Sequence, residues 1–332
     1  MEFLAVDVGK GTQDLVFPLD GEVEENWPKL ILPSPTEVLS KRIRNLRRDI
    51  TVCGCTMGGG PVKKALIEHI KRGYRVRITE KAAKTIRDNL SEVEKFGFEI
   101  VNEVQNCDIF LSDLDFNVYE RFLSFIEKPL NRIGIACQDH GYKEGQSDRV
   151  TRFNYFKTIL EKERNPKKLF IKKKTGFFSR FDSIIEQLEE RGIEGFVMDS
   201  KIAAISGMVD YAEREGIREF VVLDVGNGHT LGASVKSGEV QGIFEHHTKM
   251  LNSGKIRKIT EKLINGTLTF EEIFNDGGHG ALIFSSVNPE KIYVVGPNRS
   301  LAKGYGEFAY PLGDAMLYGC AGLISAAKFA FS

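Results

Sequence analysis

The stretch Val6-Asp7-Val8-Gly9-Lys10-Gly11-Thr12, near the start of the chain, recurs as Leu223-Asp224-Val225-Gly226-Asn227-Gly228-His229-Thr230. Each copy follows an apolar run and carries an aspartate followed by two glycines, which permit a tight turn. The backbone N–H groups of such a turn can face an anion, and the threonine that follows can add a hydroxyl donor. The repeat therefore predicts two phosphate-binding β-hairpins.

Two facing hairpins predict one ATP site, in which Asp7 and Asp224 hold a hydrated Mg²⁺ beside the phosphates and Lys10 neutralises phosphate charge. The predicted nucleotide-binding residues of the hairpins are Gly9, Lys10, Gly11, Thr12, Gly226, Asn227, Gly228, His229 and Thr230. The alternative is that each copy is only a hairpin turn, for which glycine and asparagine are ordinary. The pattern is not a P-loop, because the adjacent Gly-Lys-Thr order is missing and residues 13–18 read as a second strand.

The composition is that of a globular protein without net charge. Lys plus Arg total 46 and Asp plus Glu total 46, so no global field would attract nucleic acid or an anionic membrane. The basic stretch at residues 164–180 reads as a solvated face, and nucleic acid is not expected as a partner. At 332 residues the chain suits two lobes of roughly 100 to 200 residues each.

The termini and cysteines bear on location and redox chemistry. The chain has no basic stretch followed by an apolar signal segment and no apolar run as long as a membrane span, so a cytoplasmic protein is expected.

Five scattered cysteines favour reduced thiols over a disulfide framework. A radical-chemistry iron–sulfur enzyme would need three clustered thiolates, and the only close pair is Cys53 and Cys55, so that chemistry is disfavoured.

Short apolar runs alternate with helical patterns, which predicts an α/β chain. The predicted buried strands are residues 3–8, 50–52, 109–111, 133–136, 196–198, 220–225 and 292–295. The predicted helices are residues 62–71, 80–95, 119–127, 180–191, 202–215, 250–264 and 314–331.

Five motifs, taken in order, resemble the actin, sugar-kinase and heat-shock chaperone ATPase superfamily, whose fold is ribonuclease H-like. The two hairpins are the first and third motifs. The second, at residues 196–204, resembles a connecting motif in which a strand brings Asp199 to the cleft before an alanine-rich helix. The fourth, at residues 292–298, is similar to an adenosine motif, with Gly296 and Pro297 where many relatives have two glycines. The fifth, at residues 311–321, resembles the connecting motif whose helix crosses back to the first lobe.

The resemblance implies a two-lobed α/β fold with duplicated phosphate-binding hairpins and with ATP and Mg²⁺ between the lobes. Lobe I is expected at residues 1–205 plus 315–332, with an inserted segment at 40–190, and lobe II at residues 206–314. Asp199 is expected to orient water or accept a proton, with Gln138 and Asp139 as rivals because they follow an apolar strand. The whole sequence further resembles a largely archaeal family sometimes labelled as pyruvate formate-lyase activating enzymes.

Two other groups of residues suggest chemistry. Gly58, Gly59 and Gly60 precede a helix and could bind an anion belonging to a second substrate, or they could form only a tight connection. Five of the six histidines lie in polar or glycine-rich segments. His140, His246, His247 and His279, with Asp139 or Asp276, are candidates for a transition-metal site. The alternatives are exposed turn histidines or a histidine acting on phosphate or substrate, for which His229 is the strongest candidate.

Three functional hypotheses follow. The first is an ATPase or kinase-like phosphotransferase that acts on an unidentified small-molecule or protein substrate. The second is a nucleotide-sensing module that binds without turnover and signals through closure of the lobes. The third is a metal-dependent enzyme that uses the histidine segments.

Overall fold

The computed structural model describes residues 2–332. Its strands are β1 (Leu4–Val8), β2 (Thr12–Val16), β3 (Lys29–Pro33), β4 (Ile50–Gly54), β5 (Val76–Thr79), β6 (Glu99–Val101), β7 (Ile109–Leu111), β8 (Arg132–Cys137), β9 (Glu194–Asp199), β10 (Glu219–Val225), β11 (His229–Lys236), β12 (Glu239–His247), β13 (Gly280–Ile283), β14 (Lys291–Val295) and β15 (Glu307–Phe308). Its helices are α1 (Pro35–Asn45), α2 (Gly60–Lys71), α3 (Glu80–Ala83), α4 (Leu90–Lys95), α5 (Phe116–Ser124), α6 (Asp148–Leu160), α7 (Ser179–Glu190), α8 (Ser200–Arg214), α9 (Ser253–Ile264), α10 (Phe270–Asn275) and α11 (Tyr318–Ala330).

The first sheet has the strand order β3-β2-β1-β8-β9. Strands β1, β2 and β3 form an antiparallel meander, and β8 and β9 continue the sheet in parallel with β1. Every residue of β1 is buried, which is the burial expected of a central strand with both faces covered. The turn between β1 and β2 is the first predicted hairpin.

The second sheet repeats this arrangement. Its order is β13-β12-β11-β10-β14-β15, so that β12-β11-β10-β14-β15 corresponds strand by strand to the first sheet and β13 is added at the edge. The directions also correspond, because β10 to β12 are antiparallel and β14 and β15 run parallel to β10. The prediction of a two-lobed α/β fold with duplicated hairpins is confirmed.

Helices α8 and α11 connect the lobes and pack against each other through small residues. A side chain added at Gly207 would lie 2.8 Å from the backbone nitrogen of Gly322, so both helices approach to backbone contact. The hydroxyl of Ser206 donates to the carbonyl of Gly322 over 3.3 Å. Helix α11 then returns to the first sheet, where Cys320 lies 3.1 Å from the carbonyl oxygen of Asp14.

A third sheet, with the order β6-β5-β4-β7, is entirely parallel and has its own apolar core. It is inserted between β3 and β8, whereas α6 and α7 lie between β8 and β9. The expected single insertion at residues 40–190 is therefore two insertions. The division arises because β8 belongs to the first sheet, where it pairs in parallel with β1. Its residues from Ile133 to Cys137 are buried at the centre of lobe I.

The cysteines differ from expectation. Cys53 and Cys107 form a disulfide with their Cα atoms 5.8 Å apart, so the expectation of five reduced thiols is wrong for this pair. The sequence separation of 54 residues concealed the pairing, which depends on β4 and β7 being neighbours in the third sheet. Cys55, Cys137 and Cys320 are free.

The long helix predicted at residues 80–95 is two short helices, α3 and α4, because Asn89 begins a new helix by accepting a hydrogen bond from the backbone N–H of Ser91. Within residues 2–332, no helix is long and apolar enough to cross a membrane.

Candidate functional site

A cleft of about 1140 Å³ lies between the lobes. Both hairpin turns line it, together with the loop before α2 and the segment after β8. The backbone N–H of Gly9 closes the first turn by donating to Thr12 over 2.9 Å, and that of Gly226 closes the second by donating to His229 over 3.1 Å. The two turns are therefore built alike and face the same space.

The hairpins approach each other closely. A side chain added at Gly11 would lie 2.5 Å from the side-chain nitrogen of Asn227 in the opposite turn, so it would displace this exposed amide. Lys10 extends across the gap, with its stem 3.5 Å from the point where a side chain at Gly228 would begin. Side chains of the two turns therefore meet across the cleft.

Three aspartates converge at the base of the turns. Asp7 and Asp14 are cross-strand partners in β1 and β2, and Asp224 is the next-to-last residue of β10, the equivalent strand of lobe II. All three are buried and line the cleft, and the Oδ1 atom of each has no hydrogen-bond partner within residues 2–332. Burial raises the pKa of Asp7 well above its usual range, with further increases from Asp14 and Asp224. Burial likewise raises the pKa of Asp14 to about 7.

These unpartnered oxygens fit a hard divalent cation. Carboxylate oxygens are the ligands that Mg²⁺ prefers, and a cation would offset the burial and the repulsion from Asp14 and Asp224 that raise the pKa of Asp7. The Nζ atom of Lys201 at the start of α8 already lies 2.5 Å from Oδ2 of Asp224. Lys201 thus places a positive charge at the cleft beside these carboxylates.

Asp199 does not line the cleft, contrary to the expectation from the connecting motif. Its two oxygens accept hydrogen bonds of 2.7 and 3.1 Å from Arg152, and Oδ1 also accepts from the backbone N–H of Lys201. Arg152 is fully buried and also donates to Glu245 of lobe II over 2.6 Å. Asp199 therefore holds the arginine that joins the lobes, and we assign it no role with water.

Gln138 and Asp139 follow β8 and both line the cleft. Gln138 accepts a hydrogen bond from Nδ1 of His229 over 3.0 Å and donates to Glu245. Asp139 accepts from the backbone N–H groups of Gly141 and Arg180. Burial raises the pKa of Asp139 to about 6 despite these hydrogen bonds. Both side chains are fixed by the protein.

The remaining predicted nucleotide contacts differ in position. Thr12 lines the cleft, whereas Thr230 is fully buried and its hydroxyl lies 3.0 Å from that of Thr248, away from the cleft. Pro297 lines the cleft beside Gly296, which has a φ of 95°. A side chain at Gly296 would meet the carbonyl oxygen of Val225, so glycine permits this turn to pack against the second hairpin.

The loop containing Gly58, Gly59 and Gly60 also lines the cleft. However, the N–H of Gly58 donates to the carboxylate of Asp113 over 3.1 Å, and an anion would have to compete with that carboxylate. A side chain at Gly59 would clash with the carbonyl oxygen of Thr85. Close packing explains these two glycines, and a second anion site is not supported by their contacts.

Four histidines gather on the lobe II side of the cleft. Ring centroids of His229, His247 and His279 lie 4.7 to 5.0 Å apart, and that of His140 lies 5.3 Å from His279. Burial lowers the pKa of His229 to about 2, of His140 to about 3 and of His279 to about 4, so these imidazoles are neutral at pH 7. Neutral imidazole is the form that binds metal ions.

His246 is absent from this group. It lies next to His247 in β12 and therefore points to the opposite face of the sheet, where its Nε2 atom lies 2.9 Å from Asp276. The predicted set of His140, His246, His247 and His279 was therefore wrong for His246. The four histidines that meet are His140, His229, His247 and His279.

Several residues of the site were not predicted from the sequence. Asp14 could have been found from the register of the first hairpin, which pairs it with Asp7. Lys201, Arg152 and Glu245 gave no local signal, because their partners are 23 to 93 residues away in sequence.

A sequence profile described as "Putative pyruvate format-lyase activating enzyme (DUF1786)" matches residues 57–301. The chain belongs to this family. The match includes the second hairpin, residues 292–298 and all four histidines of the cleft, but begins after the first hairpin. No curated protein sequence matches the chain.

Several solved structures are similar at low identity. The ethanolamine utilization protein EutJ from Carboxydothermus hydrogenoformans is 12% identical with a TM-score of 0.35, over 98% of this chain and 89% of that protein. A chain of the PilM-PilN type IV pilus biogenesis complex is 12% identical with a TM-score of 0.40, over 100% and 99% of the two chains. The ROK hexokinase from Thermus thermophilus is 13% identical with a TM-score of 0.27, over 72% of this chain and 47% of the kinase.

Proposed function

We propose that the interlobe cleft binds ATP with Mg²⁺ and that the protein is an ATPase or phosphotransferase acting on a small-molecule or protein substrate. The observation that carries this proposal is the convergence of Asp7, Asp14 and Asp224, each with a buried, unpartnered oxygen, beneath two glycine turns. These three carboxylates would hold Mg²⁺, and the ion would supply positive charge to the phosphates of ATP.

Each group has a defined task in this proposal. Asp7, Asp14 and Asp224 hold the cation, and the glycine turns present backbone N–H groups to the phosphates. Lys10 and Lys201 supply positive charge from the two sides of the cleft. Mg²⁺ would supply charge neutralisation of the phosphates when bound. Gln138 lines the cleft and would orient a nucleophile only after exchanging its hydrogen bonds with His229 and Glu245.

Iron–sulfur radical chemistry, which the sequence disfavours, finds no support in the donor set. A radical-chemistry iron–sulfur enzyme would need three clustered thiolates. Two of the five cysteines form a disulfide, and Cys137 and Cys320 are buried. Among residues 2–332, the metal-competent cluster contains histidines and no cysteine.

A second candidate is a nucleotide sensor without turnover. It is favoured by one observation: Asp199 is held by Arg152, and both ends of the Gln138 amide are engaged by other side chains. Neither group is free to orient a nucleophile in this conformation. Binding would then act through closure of the lobes.

Calorimetric titration of metal-free protein with ATP and Mg²⁺ tests the shared part of both proposals. We expect saturable binding that requires Mg²⁺ and is lost in Asp224→Asn. The matched control is Asp49→Asn, which makes the same change at an exposed carboxylate paired with Arg75 outside the cleft. Absence of binding to the folded wild-type protein, or equal loss in the control, would refute the proposal.

Rapid-quench analysis of the complex separates the two candidates. Release of inorganic phosphate under single-turnover conditions supports an ATPase, and its acceleration by an added acceptor supports a phosphotransferase. ATP recovered intact from a stable complex supports the sensor.

A further inference from the structure

We infer that His229, His247 and His279 form a binding site for a divalent transition-metal ion on the lobe II wall of the cleft. This site is separate from the carboxylates proposed for Mg²⁺. One ring nitrogen of each histidine lies within 4.8 Å of the corresponding atom of the other two. The inference goes beyond nucleotide binding, because it gives the cleft a second metal ion of different chemistry.

The fold brings the three imidazoles together through neighbouring strands. His229 begins β11 and His247 ends β12, and the two are direct cross-strand partners. His279 immediately precedes β13, and its backbone N–H donates to Glu245 of β12 over 2.8 Å. Strands β11 and β12 and the residue before β13 thus bring one histidine each to the same end of the sheet.

Hydrogen bonds orient the ring of His229. Gln138 donates through its amide nitrogen to Glu245, which as a carboxylate can only accept. The amide oxygen of Gln138 therefore faces Nδ1 of His229 at 3.0 Å and receives its proton. Nε2 of His229 keeps its lone pair. A hydrogen bond from the ring nitrogen that does not bind the metal fixes the tautomer of metal-binding histidines.

His279 provides an independent indication. Its side chain is 2% exposed, and its Nδ1 atom has no hydrogen-bond partner within the described chain. The adjacent Gly278 and Gly280 allow this close packing, since side chains there would meet Ile273 and Phe270. A buried polar nitrogen without a partner is costly, and coordination to an ion would satisfy it.

The donor set selects the class of ion. Three neutral imidazoles suit Zn²⁺, Co²⁺, Fe²⁺ or Ni²⁺, whereas Mg²⁺ prefers oxygen ligands. Tetrahedral coordination at a bond length of about 2.0 to 2.1 Å places nitrogen ligands about 3.4 Å apart. The ligand nitrogens, which lie within 4.8 Å of one another, would therefore approach by up to about 1.4 Å on binding. His229 and His247 can move because they border open space in the cleft.

An open coordination position would face the cleft. His229 and His247 line the cleft, and His140 lies beside them. A site with three protein ligands and one exchangeable position has the arrangement of catalytic rather than structural ions. The open position would bind water or an oxygen atom of the second substrate, next to the turn that contains His229.

The test uses untagged, full-length protein stripped of metal and titrated with Co²⁺ in the absence of nucleotide. We expect one equivalent to bind with the visible absorption of nitrogen-coordinated Co²⁺, and azide to change this spectrum by entering the open position. His279→Gln and His247→Gln should weaken Co²⁺ binding at least about tenfold, which corresponds to about 1.4 kcal/mol.

His246→Gln is the matched control, since it alters the neighbouring histidine on the opposite face and retains a donor for Asp276. It should bind Co²⁺ like the wild-type protein. Melting temperatures of all variants identify any loss that comes from unfolding. Folded wild-type protein without a Co²⁺ spectrum, or folded His247→Gln with an unchanged one, would overturn the inference. ATP titration is a separate measurement, so failure of either site leaves the other testable.

Discussion

The ammonium group of Lys201 lies 2.5 Å from Oδ2 of Asp224, and both side chains are more than 90% buried. The pair joins the first turn of the crossing helix α8 to the end of the central strand of lobe II. Oδ1 of Asp224 remains without a partner among residues 2–332. A single carboxylate therefore fixes one lobe to the connecting helix and retains an oxygen for a ligand.

Lys201→Met should destabilise the protein, because it leaves Asp224 buried without its cation. Loss of one partner of a buried ion pair costs about 3 to 5 kcal/mol. Urea denaturation in Mg²⁺-free buffer measures this loss, and Lys201→Met combined with Asp224→Asn should recover part of it. A loss below about 1 kcal/mol, which is typical of exposed pairs, would contradict the prediction.

Gly319→Ala should weaken binding of ATP with Mg²⁺ by about tenfold or more, equivalent to about 1.4 kcal/mol. The reason is that a side chain at Gly319, in the first turn of α11, would collide with Oδ2 of Asp7. Gly254→Ala is the control, since that helical position leaves an added carbon 3.6 Å from the nearest side-chain atom. Calorimetry on both variants provides the comparison, and equal affinities would show that Asp7 tolerates the displacement.

Arg152→Met should destabilise the protein by about 3 to 5 kcal/mol or more, because Asp199 and Glu245 would both lose their buried partner. The triple variant that also carries Asp199→Asn and Glu245→Gln should regain stability relative to Arg152→Met alone. Denaturant unfolding of both variants measures the difference. If the triple variant is no more stable, the cost of Arg152→Met comes from packing rather than from the unpaired charges.

The pH dependence of stability should report the raised pKa of Asp139. Because its pKa is about 6 in the folded protein and 3.8 without the fold, the folded state binds this proton more tightly. The wild-type protein should therefore lose stability relative to Asp139→Asn as pH rises from about 4 to 6, by up to about 3 kcal/mol. The difference in unfolding free energy between the two proteins, measured across this range, isolates this group. A difference independent of pH would contradict the assignment.

The sequence predicted the fold from elements whose signals are local. The duplicated motif around Asp7 and Asp224 identified two equivalent hairpins, and each lies between antiparallel strands as predicted. The apolar strands were found because buried central strands read as continuous apolar runs. The insertion was misjudged because nothing local shows that β8 belongs to the first sheet while its neighbours in sequence do not.

The identities of the chemically competent residues were thus largely determined by the sequence: the two hairpin aspartates, the glycine turns and a set of histidines outside helices. Tertiary structure alone decided which of them meet. The register of the first hairpin places Asp14 opposite Asp7. Side chains alternate along β12, so His246 points to the opposite face and only His247 lines the cleft. Asp199 binds Arg152 and does not line the cleft. The physical reason is that these outcomes depend on contacts between strands and helices that are distant in sequence, which no local pattern encodes.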